Sequence, residues 1–265
     1  MQHIPRKRFG QHFLHERGVI DKIVDALALH KADLVAEIGP GLGALTDHLS
    51  PWLDHLHVIE LDRDLAARLR ERYSPEKLTM HEGDALDFDF ASLGTDIRLV
   101  GNLPYNISTP LLFHFAAFRD HLRDGHFMLQ REVVERMTAS PSTSAYGRLS
   151  VMLQLEFEME LLFRIAPGAF TPPPKVESAV VRMTPLAQRP FELRDRVLFG
   201  QIVTGAFTQR RKTLRNSLRT FLSAADFDGL AIDPMARAEN LGVADYANIA
   251  NFVALRGGGR VDQSA

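Results

Sequence analysis

The 265-residue sequence predicts an α/β protein, an open and mostly parallel sheet followed by a smaller C-terminal helical domain. Short apolar runs alternate with longer amphipathic segments through the first two thirds of the chain, and a glycine-rich turn closes the first run. After about residue 190 the apolar spacing becomes helical, with no strand between the segments.

The segments LVAEIG (34–39), HVIEL (57–61), KLTMHEGD (77–84) and IRLVGNL (97–103) read as strands. They are β-branched or apolar, and several close on Gly, Asp or Asn. Between them, ALTDHLSPWL, DLAARLRERY and PLLFHFAAFRDHL carry apolar residues at helical spacing. Strand–helix–strand alternation implies parallel pairing and a sheet covered on both faces. HFMLQREVVERMTA reads as a fifth strand running into a helix. RLSVMLQLEFEMELLFRI and KVESAVVRM read as two further strands flanking the loop APGAFTPPP. RDRVLFGQIVTGAF, RKTLRNSLRTFL and YANIANFVALR follow as helices, with Pro185 and Pro190 marking a linker before them. The expected division is therefore a first domain over 1–188, a helical domain over 189–256 and a disordered tail over 257–265.

A hydrophobic content of 45% with 24% charged residues supports a packed core and argues against wholesale disorder. The chain has no cysteine, which excludes disulfides, thiolate zinc sites, iron–sulfur clusters and a cysteine nucleophile. Its 11 histidines form no HExxH or His–carboxylate set, so no metal is expected. No apolar run is long enough to span a bilayer, and MQHIPRKRFG has no apolar stretch after its basic residues. A cytoplasmic protein without membrane contact is the expectation, with a monomer the default.

The net charge of −2 hides an uneven distribution. RKRFGQHFLHER sets Arg6, Lys7, Arg8 and Arg17 against Glu16 alone. TQRRKTLRNSLRTF carries Arg210, Arg211, Lys212, Arg215 and Arg219 with no acid. One such cluster is ordinary on a solvated helix face; two in one chain favour a polyanionic partner.

The first strand ends in EIGPGLGALT, where Glu37, Gly39, Gly41 and Gly43 alternate. The chain can turn tightly there and let a ligand approach its backbone. The spacing departs from the G-x-G-x-x-G of pyrophosphate-binding turns, which argues against a nicotinamide oxidoreductase. The second strand ends in Glu60, suited to the two hydroxyls of a ribose, and the third in Asp84, suited to an adenine amino group. The fourth ends in Asn102. Parallel strands bring these ends to one edge of the sheet, and the set suits a nucleoside without demanding a diphosphate, as in S-adenosylmethionine. After Asn102 comes Leu103-Pro104-Tyr105. Pro104 fixes its own φ and biases Leu103 towards extended backbone, which holds two acceptors and one aromatic face in a fixed relation. The plain alternative is a strand-to-loop turn with Tyr105 in the core.

FGQHFL (9–14), EIGPGLGALT (37–46), VIELDRDL (58–65), GNLPYNIST (101–109), LQREVVERM (129–137), AYGRLSV (145–151), FTPPPKVESAVVR (170–182) and FTQRRKTLRNSL (207–218) together resemble the KsgA/RsmA family of small-subunit ribosomal RNA adenine dimethyltransferases. The resemblance runs from about residue 6 to about residue 255, in family order. Its FTPPPKV and FTQRRKT segments look more like this family than like the Erm antibiotic-resistance enzymes. The resemblance implies a Rossmann-like S-adenosylmethionine-dependent methyltransferase sheet and transfer of two methyl groups to N6 of each of two adjacent adenines near the 3′ end of 16S ribosomal RNA. It also implies a late role in assembly of the small ribosomal subunit, which makes that RNA, within the subunit, the expected partner.

Carried over by position, the donor would meet His12, Leu14, Gly39, Glu60, Asp84 and Asn102, with the Gly41 backbone beside them. Some members have Asn where this chain has His12. The resemblance further implies that the Asn102 amide oxygen and the Leu103 carbonyl accept from the adenine amino group, held by Pro104, while Tyr105 stacks on a base turned out of its helix. Phe170 is the candidate for a second aromatic face, against a core role. Arg210, Arg211, Lys212 and Arg215 would line a groove for phosphates, and Arg6, Lys7 and Arg8 would form an arm. Two other readings stand beside this one: a DNA adenine N6-methyltransferase, and an RNA-binding assembly factor whose catalysis is incidental.

Overall fold

A computed structural model describes residues 12–256 of the protein. Arg6, Lys7, Arg8 and the tail 257–265 lie outside the described residues. The chain forms two compact units. The first runs to Glu135 and resumes over Phe157–Pro185; the second takes Arg136–Glu156 and the chain from Leu186 onward.

In chain order the elements up to the first crossing are β1 (Phe13–Leu14), α1 (Arg17–Leu27), β2 (Val35–Ile38), α2 (Thr46–Leu49), β3 (Leu56–Glu60), α3 (Arg63–Arg72), β4 (Leu78–Glu82), β5 (Ile97–Asn102), α4 (Ser108–Ala117), β6 (Leu122–Gln130) and α5 (Arg131–Met137). α6 (Arg148–Gln154), β7 (Phe157–Ile165), β8 (Phe170–Thr171) and β9 (Ser178–Pro185) follow. α7 (Arg196–Thr208), α8 (Leu214–Ser217), α9 (Ala224–Gly229) and α10 (Val243–Leu255) complete the set.

Among the described residues, seven strands form a sheet in the order β4-β3-β2-β5-β6-β9-β7. The pairings from β4 to β6 are parallel, and β9 is antiparallel to both β6 and β7. VAEI of β2 is buried at every position, as a central parallel strand requires. At the β2–β5 pairing, Ile38 lies opposite Gly101, and a Cβ added at Gly101 would stand 2.4 Å from the Ile38 carbonyl oxygen. α1 buries Ile20, Ile23, Val24 and Leu27, one helical face, and ends at Ala28 with φ 46°. α3 starts where the Asp62 carboxylate accepts from the Asp64 N–H at 3.0 Å, and finishes with Arg70 and Arg72 in its last turn. A separate pair joins β1 to β8, with Phe13 opposite Thr171 and Leu14 opposite Phe170. Phe13-Leu14 and the start of FTPPP, far apart in sequence, are thereby tied together.

The start of β5 carries a charge network with a buried centre at Asp33, Arg98 and Asp124. Arg98 donates to both carboxylate oxygens of Asp124 and, at 3.0 Å, to Asp33, while Arg123 donates to Asp33 and Asp96. A guanidinium this enclosed is tolerable only because two carboxylates meet its fork.

The second unit is built around α7 and α10, with Phe199, Ile202, Val203, Tyr246, Ile249 and Ala250 in its core. Tyr146, Val151 and Leu155 belong to the same core. RLSVMLQLEFEMELLFRI is therefore not one strand. Its first part is α6, where the Gly147 N–H meets Ser150 Oγ at 3.0 Å, and only the part from Phe157 is strand. Residues 136–156, expected in the first domain, pack with the helical unit. The fully buried Glu156 accepts from Arg189 at 2.9 and 2.6 Å, which fastens the segment after Pro185 to the end of α6. RKTLRNSLRTFL is mostly turns around the four-residue α8, because Leu214 and Arg215 bond back to the carbonyls of Ala236 and Pro234.

Candidate active site

The carboxyl ends of β2, β3 and β5 and the turn after β4 surround a cavity of about 200 Å³. His12, Leu14, Gly39, Gly41, Glu60, Asp84, Asn102, Leu103, Pro104 and Tyr105 all line it. Residues spread over more than ninety positions thus converge because parallel strands place their ends on one edge.

Gly39 has φ +64°, and a Cβ built there meets no atom within 4 Å, so the turn leaves open space at the cavity wall. Glu60 faces the same turn. One of its oxygens accepts from the Asp62 N–H at 2.8 Å and the other from the Gly41 N–H at 3.1 Å. Burial pushes the Glu60 carboxyl up, and those backbone N–H groups act in the opposite sense. Asp84 accepts from the Leu86 N–H at 2.9 Å through one oxygen, which aims the side chain. Leu42 and Leu61, both substantially exposed, add apolar surface to the cavity. Acids at the strand ends with apolar surface between them match a ribose and a flat base rather than a chain of phosphates.

Glu37 is almost completely buried beside this cavity, and its carboxylate accepts from Thr46 Oγ1 at 2.7 Å. Burial pushes it up to about 8, with Glu60 and Asp47 adding to the rise and the Thr46 hydroxyl opposing it. The folded protein therefore holds this proton at neutral pH while the unfolded chain does not. Between the ordinary value of 4.5 and about 8 the folded state binds more protons, so the Glu37 contribution to stability falls as pH rises through that window. Glu37→Gln keeps an acceptor for Thr46 and removes the titration. Melting curves from pH 5 to 9 are expected to show the variant gaining on the wild type with rising pH and levelling off above about 8. A difference independent of pH would contradict a buried, proton-holding Glu37.

The Asn-Leu-Pro-Tyr turn is held from three directions. Asn102 donates through Nδ2 to the His12 carbonyl at 2.7 Å. A carbonyl only accepts, so this bond fixes the amide orientation and leaves Oδ1 as the remaining acceptor. The Leu103 N–H continues the sheet to the Met128 carbonyl at 3.1 Å, and the Leu103 side chain is buried. The Pro104 and Tyr105 carbonyls are taken by the Ile107 N–H and the Ser108 hydroxyl at the start of α4. Among the described residues, none donates to the Leu103 carbonyl. The Tyr105 hydroxyl and Ser178 Oγ are 2.6 Å apart, and the half-buried ring of Tyr105 stacks against that of His12. Tyr105 is neither a core side chain nor a free one.

Phe170 does not meet the expectation of an open second face. It is only 2% exposed, packs in the cluster that contains Leu14, Met128 and Val180, and is fixed by the β1–β8 pairing. Ser178, the anchor of Tyr105, was not singled out in the sequence. Its signal was its place in FTPPPKVESAVVR, but nothing in that segment points to a tyrosine 73 residues away.

In the second unit, Arg211, Lys212 and Arg215 are exposed. Arg210 is exposed as well, and it also donates to the carbonyls of Ser144 and Tyr146 at 3.1 and 3.3 Å and lies 4.0 Å from Glu239, an engagement within its own unit that the sequence did not predict. Among the described residues, no group of three or more His, Cys, Asp or Glu side chains is placed to hold a metal ion. None of the described helices is long and apolar enough to cross a membrane.

A mostly parallel sheet with acidic and amide strand ends around one cavity, next to a glycine turn, is the architecture of Rossmann-like methyltransferases, the class to which similar proteins also point. The family model for ribosomal RNA adenine dimethylase matches residues 2–255, and the chain belongs to that family. It is 60% identical over 252 residues to the ribosomal RNA small subunit methyltransferase A of Nitrosospira multiformis, covering 95% of this chain and 97% of the relative. It is 59% identical over 255 residues to the protein of the same name from Aromatoleum aromaticum, with 96% of each chain covered. Among solved structures, a dimethyladenosine transferase from Plasmodium falciparum is similar with a TM-score of 0.81 and 26% identity, over 93% of this chain and 98% of that one. The 23S rRNA methyltransferase ErmE shares the fold, with a TM-score of 0.71 at 24% identity over 91% of this chain and 99% of its own.

Proposed function

We propose that the protein transfers methyl groups from S-adenosylmethionine to N6 of two adjacent adenines near the 3′ end of 16S ribosomal RNA, two to each, within the small ribosomal subunit. Membership of the adenine dimethylase family and the names of the relatives from Nitrosospira and Aromatoleum support that substrate. The observation that carries the chemistry is the pair of acceptors at the turn. The Nδ2 bond of Asn102 to His12 leaves Oδ1 available, and no described residue donates to the Leu103 carbonyl beside it.

The donor fits the cavity. Glu60 and Asp84 are the acceptors a ribose and an adenine amino group need, Gly39 leaves open space at the wall, and Leu42 and Leu61 offer apolar surface to a base. His12, Leu14, Gly41 and Asn102 are the other residues assigned to it. When bound, S-adenosylmethionine supplies an electrophilic methyl group.

An adenine amino group is a poor nucleophile because its lone pair is delocalised into the ring. Asn102 Oδ1 and the Leu103 carbonyl accept from N6–H and draw that lone pair out of the ring plane. Both are fixed before the base arrives, so neither must reorient during the reaction. Pro104 stiffens the carbonyl, and Tyr105, held by Ser178, offers a face to a base extruded from its stack. A neutral Asn102 also suits a second methylation, because an amide left with one fewer donor costs less than a carboxylate in the same place. No general base is required, since the proton leaves once the amine is cationic.

The helical unit and its exposed Arg210, Arg211, Lys212 and Arg215 meet phosphates, which position the RNA without reading its sequence. Arg6, Lys7 and Arg8 extend that role to the N-terminal segment. The working form is a monomer in the cytoplasm, where it also serves late subunit assembly.

Incubation of the protein with labelled S-adenosylmethionine and under-methylated small subunits is expected to place label in 16S RNA as N6,N6-dimethyladenine. Duplex DNA run in parallel is expected to take none. Bound subunits without incorporated label would leave an assembly factor and overturn the enzymatic reading.

A further inference from the structure

With Phe170 in the core, the aromatic partner of Tyr105 is His12. The two ring centroids are 5.4 Å apart and the planes are inclined by 28°, a stacked arrangement. His12 Nδ1 lies 2.7 Å from the Pro172 carbonyl, which only accepts, so Nδ1 carries a proton and the ring orientation is fixed. The backbone carbonyl of the same residue orients Asn102. A single residue thus holds the acceptor with its main chain and covers the aromatic face with its side chain. A base between two rings needs about 3.5 Å on each side, about 7 Å in all. The space between His12 and Tyr105 is too small for one.

We propose that the His12 imidazole stands in for the target base: it covers the Tyr105 face until an extruded adenine displaces it. This rests on the reading that the adenine stacks on Tyr105. The ring can leave while the backbone stays, because the contacts of the side chain, with Tyr105 and Pro172, are separate from the Asn102 bond of the main chain. The stand-in keeps a half-buried aromatic face from standing empty and opposes entry of anything that stacks no better than an imidazole. It also makes the incoming base compete with a protein side chain. Where a family member has Asn in this place, such a stack cannot form, so the device belongs to chains with His.

The test compares His12→Ala, His12→Asn and His12→Phe with the wild type on under-methylated small subunits, at saturating S-adenosylmethionine, with melting temperature and donor affinity measured alongside. Removing the competing stack is expected to raise kcat/KM for the subunit about three- to tenfold in the Ala and Asn variants. Phe, a stronger self-stack, is expected to lower it. The opposite signs, with Ala and Asn slower and Phe equal or faster, would make His12 a permanent wall of the base slot and overturn the proposal. Unchanged kcat/KM in all three would overturn it as well. Failure of the wild type to incorporate any label would instead sink the methyltransferase reading. Should the Ala variant lose donor binding, the Asn and Phe pair decides by the same signs.

Discussion

Asn102→Ala is expected to lower methyl transfer to the small subunit about a hundred- to a thousandfold, with the melting temperature little changed. The residue ends β5, and among the described residues its amide bonds to the His12 carbonyl alone, so little folding energy depends on it. On the proposed mechanism, what disappears is one of two preorganised acceptors that act only when the amino group begins to rehybridise. A loss confined to that stage appears in kcat, with binding of the subunit retained. Asn102→Asp gives a separate check. At neutral pH the carboxylate cannot donate to the His12 carbonyl, and it sets two acceptors against each other, so the side chain is expected to turn and transfer to fall again. Single-turnover rates with donor and subunit saturating measure both. Retention of more than about a tenth of the wild-type rate in Asn102→Ala would remove the acceptor from the mechanism.

Gly101→Ala is expected to destabilise the first unit by about 3 kcal/mol or more. The added Cβ would stand 2.4 Å from the Ile38 carbonyl oxygen and 3.2 Å from the Ile38 Cβ. Neither is the far end of a flexible side chain. Relief requires β2 and β5 to part in the middle of the sheet, next to the glycine turn that lines the cavity. Overpacking of ordinary cores costs about 1–3 kcal/mol, and a clash with backbone between two central strands belongs at or above the top of that range. Chemical denaturation gives the figure directly. A midpoint within about 1 kcal/mol of wild type would mean that the sheet yields there without penalty.

The strand ends were legible because parallel α/β sheets obey a strong rule. Once VAEI, LHVIE, LTMHE and IRLVGN read as consecutive parallel strands, Gly39, Glu60, Asp84 and Asn102 had to meet at one edge. The role of Phe170 was not legible, since FTPPP reads equally well as an open aromatic plate or as a buried strand. The choice depends on pairing with Leu14, a long-range contact with no local pattern. His12 was legible as a residue of the cavity but not as the ring against Tyr105, for the same reason. RLSVMLQLEFEMELLFRI reads as continuous apolar strand because the boundary at Glu156 has no Gly or Pro to mark it. There the separation is made by a buried carboxylate and two arginines from beyond Pro185. Arg210 and Arg211 are adjacent, identical in type and both exposed, and nothing in the sequence marks Arg210 as the one that also bonds to the carbonyls of Ser144 and Tyr146.

The interleaving of the two units bears on how such proteins can be shortened or recombined. The chain passes between units after Glu135, after Glu156 and after Pro185. A fragment ending near residue 188 would keep Tyr146, Val151 and Leu155 while discarding α7 and α10, the helices that cover them. Exchange of the helical part between relatives therefore needs three compatible junctions instead of one. Insertions and deletions accepted around 136–156 must suit a core whose other half begins later in the chain, with Leu198 lying 43 residues after Leu155. Inheritance as one uninterrupted piece is the natural outcome for a chain threaded in this way.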